Sequence, residues 1–107
     1  MSFKIELTER FKKEFKRLNK TYPSIRNEFD DLVTLLEDNP IQGTSIGNGF
    51  YKIRLAIASK GKGKRGGARV ITYVAIINET VYLASIYNKS EKENISQKEL
   101  QDILSGL

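Results

Sequence analysis

The order of apolar patterns along this chain predicts an α+β domain in which two N-terminal helices pack on a twisted, mostly antiparallel four-stranded sheet and a short helix closes the C-terminus. Three observations predict it. Two stretches of helical periodicity precede residue 40, three stretches rich in β-branched and aromatic residues follow residue 50, and a capping pattern opens a last apolar repeat after residue 95. The resulting order, β-α-α-β-β-β-α, gathers its helices early and then meanders, the signature of this class. At 107 residues the chain, residues 1–107, is expected to form one domain that buries about two-thirds of its unfolded surface.

Each element has its own reason. Phe3-Lys4-Ile5-Glu6-Leu7 alternates apolar and polar residues, the pattern of a half-buried strand. Thr8 is a good N-cap for a helix over Glu9 to Asn19, in which Phe11, Phe15 and Leu18 recur at i, i+4 and i+7. Tyr22-Pro23-Ser24 ends it, and a second helix is predicted from about Ser24 to Glu37, with Ile25, Phe29, Leu32, Leu35 and Leu36 on one face and Asn39-Pro40 as its stop. Ile41 to Phe50, with Gly43, Gly47 and Gly49, reads as a loop. Strands are predicted over Phe50 to Ser59, Ala68 to Ile77 and Thr80 to Tyr87, the last two joined by a tight turn at Asn78-Glu79. The nearly continuous apolar run from Val70 to Ile77 places that strand mid-sheet, covered on one face by helices. Ser96-Gln97-Lys98-Glu99 is a capping box opening a helix that carries Leu100, Ile103, Leu104 and Leu107.

Charge is segregated. Of 18 basic and 13 acidic residues, no acid falls between Asn39 and Asn78, where Lys52, Arg54, Lys60, Lys62, Lys64, Arg65 and Arg69 lie. Such a stretch repels itself, and a polyanion is the natural partner that relieves it. The chain has no cysteine and no histidine, so a disulfide framework is excluded, a metal site is not expected, and the usual neutral-pH proton carrier is missing. No apolar run has the length of a signal peptide or a membrane span, so a soluble cytoplasmic protein without membrane contact is expected.

Three groups of residues are candidates for function. Lys52 and Arg54, two apart on a strand, share a face, and Arg69 joins them if the two strands pair. Two readings stand: a solvated outer face, or a cationic surface that holds phosphate and stabilises a phosphoryl transition state. The Gly-Lys loop with Lys60, Lys62, Lys64 and Arg65 is either a solubilising hairpin loop or a contact with a nucleic-acid backbone. Its spacing is not that of a phosphate-binding P-loop. After the last strand, Tyr87 is placed to stack on a base or carry a proton, and Lys89 and Lys92 to bind phosphate, against the alternative of a sheet-edge anchor and a polar linker. Tyr51, Tyr73 and Tyr82 sit in register with apolar neighbours and read as packing residues. The first helix's Lys12, Lys13, Lys16, Arg17 and Lys20, with Glu9 and Glu14, form a solvated face.

Phe50-Tyr51-Lys52-Ile53-Arg54-Leu55, Lys64-Arg65-Gly66-Gly67-Ala68-Arg69-Val70-Ile71 and Ile86-Tyr87-Asn88-Lys89-Ser90-Glu91-Lys92 together resemble the RelE/ParE superfamily of bacterial type II toxins, within it a HigB-like branch, over nearly the whole chain. The resemblance implies a ribosome-dependent mRNA interferase, an endoribonuclease without metal or other cofactor, whose partners are mRNA, ribosomal RNA and a cognate antitoxin. By that likeness Lys52 assists proton loss from a ribose 2′-OH, Arg54 binds the phosphate, Arg69 stabilises the phosphorane, and Lys89 and Lys92 lie near the leaving oxygen or the ribosomal RNA. Many relatives place a Tyr or His near the C-terminus as an acid–base group. Here that position falls at or near Ser96, which leaves proton transfer to Tyr87 or the chemistry to the cations alone. The alternatives are a ParE-like gyrase poison of the same fold and an RNA-binding module without catalysis.

Overall fold

The computed structural model describes residues 2–60 and 66–107, Lys60 by its backbone only. The elements are β1 (Lys4–Leu7), α1 (Glu9–Thr21), α2 (Ile25–Asp38), β2 (Thr44–Gly47), β3 (Phe50–Leu55), β4 (Ala68–Ala75), β5 (Thr80–Asn88) and α3 (Gln97–Ser105), with a 3-10 turn at Ala58–Lys60. They form one five-stranded sheet in the order β1-β5-β4-β3-β2. β1 runs parallel to β5 and the remaining pairs are antiparallel.

The helices form where the sequence places them. The Thr8 side chain accepts from the Phe11 N–H and its hydroxyl donates to the Leu83 and Ala84 carbonyls, so one residue caps α1 and ties it to β5. α1 runs two residues past the predicted end. Phe11, Phe15 and Phe29 stack against one another between α1 and α2, with ring centroids 4.9 to 6.1 Å apart. Leu18, Ile25, Leu32 and Leu36 continue this core against Ile53, Leu55, Val70, Val81, Leu83 and Ile86 on the sheet. The capping box of α3 forms in both directions, Ser96 to Glu99 and back.

The predicted meander needs three corrections. Thr44–Gly47 is a fifth strand, not loop: it pairs with Phe50–Lys52 through a hairpin whose turn residues Gly47, Asn48 and Gly49 all take positive φ. Short, polar and flanked by glycine, it is held in extended form by β3's hydrogen bonds. The strand predicted to reach Ser59 stops at Leu55 and turns, and the one predicted to reach Ile77 stops at Ala75. The central strands are also covered on both faces, not one. Phe50, Ile71, Ala84 and Tyr87 form a second core with Leu100 and Ile103 of α3, on the face away from α1 and α2.

Two irregularities place the site. At the bulge between Ile71 and Thr72, β5 carries one extra residue, Ala84, since Ile71 pairs with Ser85 and Thr72 with Leu83. Gly67 lies between the ends of β3 and β5. Its carbonyl accepts from the Lys89 N–H, and a Cβ there would overlap the Leu55 carbonyl. Gly67→Ala is therefore expected to cost about 2–3 kcal/mol, because rigid backbone must move. Gly47→Ala, at φ +96 with open space around the added atom, is expected to cost only about 1 kcal/mol of left-handed strain. Urea unfolding of the two variants beside the wild type measures both.

Candidate active site

On the α3 face the strand register assembles a row across three strands. Arg54 of β3 stands opposite Arg69 of β4, which stands opposite Tyr87 of β5. Lys52, two residues before Arg54, shares that face. The alternation that creates the row is enforced from below, because Ile53, Leu55, Val70 and Ile86 pack in the helix-side core.

Exposure falls along the row. Arg54 is exposed, Lys52 half-buried, and Arg69 and Tyr87 are each 3% exposed. Arg69 donates to the Ala68 carbonyl at 3.1 Å. Burial lowers its pKa, the Arg54 charge lowers it further, and Tyr87 partly offsets both; a guanidinium stays charged throughout. Burial raises the Tyr87 phenol above its ordinary value, with Arg69 and the Ile95 amide opposing the rise. Tyr87 is thus a protonated group at neutral pH. Its buried hydroxyl makes no hydrogen bond of good geometry.

The segment after β5 closes over this row. Lys52 donates to the Asn94 side-chain carbonyl at 3.2 Å. The Lys92 ammonium lies 5.4 Å from the centre of the Tyr87 ring. Lys92 also donates to Glu99 Oε2, which accepts from Arg10 Nη2 at 2.6 Å. Arg10 in turn pairs with Glu14 at 3.4 Å. Glu14 Oε1 accepts from the Ser85 hydroxyl and the Ile86 N–H, just beyond the β5 bulge.

Of the residues singled out from sequence, Lys52, Arg54, Arg69, Tyr87 and Lys92 are brought together. Lys89 is held by its backbone to Gly67, and no side-chain contact joins it to the cluster among the described residues. Lys62, Lys64 and Arg65, and the side chain of Lys60, lie outside the described residues. Asn94, Arg10, Glu14 and Glu99 were not singled out as site residues. Glu99 carried a signal only as a cap, and Glu14 only as part of a solvated helix face. Ser96 serves as the α3 cap. Among the described residues no three His, Cys, Asp or Glu side chains converge to hold a metal ion, and no helix is long and apolar enough to cross a membrane.

A cleft of about 870 Å³ borders the exposed end of the row, along the β3 edge that β2 leaves uncovered beyond Lys52. Lys52 and Arg54 line it on one side, Glu28 and Asp31 of α2 on the other. No ion pair joins these groups among the described residues, so the exposed Arg54 and the half-buried Lys52, held by the neutral Asn94 amide, keep their charge uncancelled.

Comparison with known proteins bears on the whole chain. Residues 7–105 match the model of the family described as the RelE toxin of the RelE/RelB toxin–antitoxin system. Among solved structures, the chain is similar to a mutant of the E. coli toxin RelE in the free state, with a TM-score of 0.65 at 17% identity over 100% of this chain and 99% of that one. It is similar to the intact E. coli RelBE toxin–antitoxin complex, with a TM-score of 0.61 at 19% identity over 81% of this chain and 96% of that one. The isolated E. coli RelE toxin gives a TM-score of 0.59 at 21% identity over 99% and 100%. At these identities the structures show a shared fold.

Glu99 gives the site a pH signature. Its two cationic partners and the Ser96 amide outweigh burial and bring its carboxyl from 4.5 down to about 2. A depressed carboxyl stabilises the fold above its unfolded value and loses that contribution as pH falls towards the folded one. The side chain is 29% exposed, so solvent screening reduces the effect to about 1–2 kcal/mol. Between about pH 5 and pH 2, wild type is expected to lose that much more stability than Glu99→Gln, as read from urea unfolding at each pH.

Proposed function

This chain belongs to the RelE toxin family of type II toxin–antitoxin systems, and from that premise we propose that it is a ribosome-dependent endoribonuclease that cleaves mRNA. The observation that carries the proposal is the Arg54–Arg69–Tyr87 row. Like charges directly opposite on neighbouring strands are destabilising, and a site that keeps them, one exposed and one buried, is organised for an anion. A phosphodiester supplies that anion, and Arg is suited to it because its planar fork matches the phosphate oxygens.

The reaction is a transesterification. The 2′-oxygen attacks the adjacent phosphorus as its proton passes to a water, the bond to the 5′-oxygen breaks, and that oxygen takes up the proton of Tyr87. The products are a 2′,3′-cyclic phosphate and a free 5′-hydroxyl. Lys52, oriented by the neutral amide of Asn94, assists loss of the 2′-proton by the pull of its positive charge on the 2′-oxygen. Arg54 meets the phosphate first because it is exposed, and Arg69 stabilises the charge that grows on the equatorial oxygens. Burial strengthens that last interaction, since charge stabilisation is worth more where water is excluded. Tyr87, protonated and with its hydroxyl unsatisfied, is the donor to the 5′-oxygen.

A cognate antitoxin partner is proposed from the similarity to the E. coli RelBE complex. The HigB-like placement within the family rests on the sequence signature alone. The basic loop with Lys60, Lys62, Lys64 and Arg65, followed in sequence by Lys89 beyond β5, is proposed to contact ribosomal RNA as a salt-dependent electrostatic hold.

The test is cleavage of a short mRNA on purified ribosomes. Wild type is expected to yield a cyclic phosphate end, and a substrate with 2′-deoxyribose at the scissile position is expected to stay intact. Arg69→Ala and Arg54→Ala are each expected to slow cleavage by about 10²–10³, the loss seen on removing one transition-state donor. Tyr87→Phe is expected to slow it by about 10². Intact mRNA with wild type, or full activity in Arg69→Ala, overturns the proposal.

A further inference from the structure

We propose that Glu99 is a positioning residue of this site: it fixes the Lys92 ammonium over the face of the Tyr87 ring, and is itself held in place through Arg10 and Glu14 by the bulged end of β5. The role in turnover rests on the nuclease reading above; the geometry does not.

The two carboxylate oxygens of Glu99 do different things. Oε1 accepts from the Ser96 N–H and completes the capping box. Oε2 accepts from Lys92 and from Arg10. A helix cap needs only the first of these, and Gln serves it as well as Glu. The second is a charge-assisted junction between α3, α1 and the segment after β5, with no part in capping. Lys92 is anchored at its other end too, its N–H donating to the Asn88 carbonyl. A lysine side chain otherwise samples many rotamers; with backbone and ammonium both held, this one is left over Tyr87.

The junction is braced from the core. Arg10 bridges Glu14 and Glu99, and Glu14 is fixed by the Ser85 hydroxyl and the Ile86 amide. Those two donors follow directly after the bulge at Ala84. A line of hydrogen-bonded and ion-paired groups therefore runs from the β5 backbone to the Lys92 ammonium. Tyr87 sits near both of its ends, one residue from Ile86 on β5 and beneath Lys92. Glu99 remains a carboxylate in this setting and is no proton acceptor at neutral pH; its effect passes through Lys92. When Tyr87 gives its proton to the 5′-oxygen, negative charge appears on the phenol, and a cation fixed over the ring stabilises it before the proton is regained from water.

Glu99→Gln separates this role from helix capping, because the cap survives and the charge does not. In wild type the ε-methylene protons of Lys92 are expected upfield in the NMR spectrum, shifted by the Tyr87 ring. In Glu99→Gln they are expected to return towards the position of a free lysine while the circular dichroism of the fold is unchanged. In the ribosome assay, Glu99→Gln and Lys92→Ala are each expected to lower kcat about tenfold with KM altered less than about twofold, and the double variant to be no slower than either single one. An unchanged Lys92 shift in folded Glu99→Gln, or losses that multiply in the double variant, overturns the proposal. If wild type cleaves no mRNA, the nuclease reading falls, and the NMR arm alone decides whether Glu99 positions Lys92.

Discussion

The register that sets Arg54 opposite Arg69 is the constraint on which the site depends, and it is maintained by residues that never touch the site. Strand side chains alternate between faces, so a slip of one residue would carry the cations of that strand into the helix-side core and its apolar partners out of it. Ile53, Leu55, Val70 and Ile86 are buried under α1 and α2; burying each is worth about 1.5–3 kcal/mol. That sum exceeds the repulsion between the exposed Arg54 and the buried Arg69, about 4 kcal/mol at most at the effective dielectric near a protein surface. Core packing thus holds together a charge arrangement that would not form for its own sake. Gly67 fixes the same register from the strand ends, since backbone fits against the Leu55 carbonyl only where no Cβ stands.

What was legible in the sequence follows from how local each signal is. The helices rest on i, i+4 repeats, and α3 on a cap completed within four residues, so both are readable from short windows. Lys52 and Arg54 share a face by strand period alone, and Arg69 follows once the strands are paired. β2 was not legible, because Thr44-Ser45-Ile46-Gly47 has no apolar alternation and becomes a strand only when β3 supplies its hydrogen bonds. Coverage of the sheet's second face was hidden for a related reason. Tyr87, Ala84, Ile71 and Phe50 come from three different strands, and only the folded sheet puts them under Leu100 and Ile103. Arg10 and Glu99, 89 residues apart, resembled ordinary surface charges until the fold joined them.

The acid-free stretch from Asn39 to Asn78 can then be understood in terms of which cations the fold neutralises. Glu99 comes from outside the stretch, and it is delivered to Lys92 and Arg10, not to Lys52 or Arg54. Lys52 is oriented instead by Asn94, a neutral amide that fixes the direction of an ammonium without cancelling its charge. A carboxylate in that place would lower the potential at the exposed end of the row and compete with any phosphate. The choice of partner therefore gives the cations different roles. Lys92 is compensated and held, while Lys52 and Arg54 are held or displayed with their charge intact at the mouth of the cleft. On the proposed reaction this order is the useful one, since the groups that meet the substrate first must keep their field, and the group behind Tyr87 need only be in the right place.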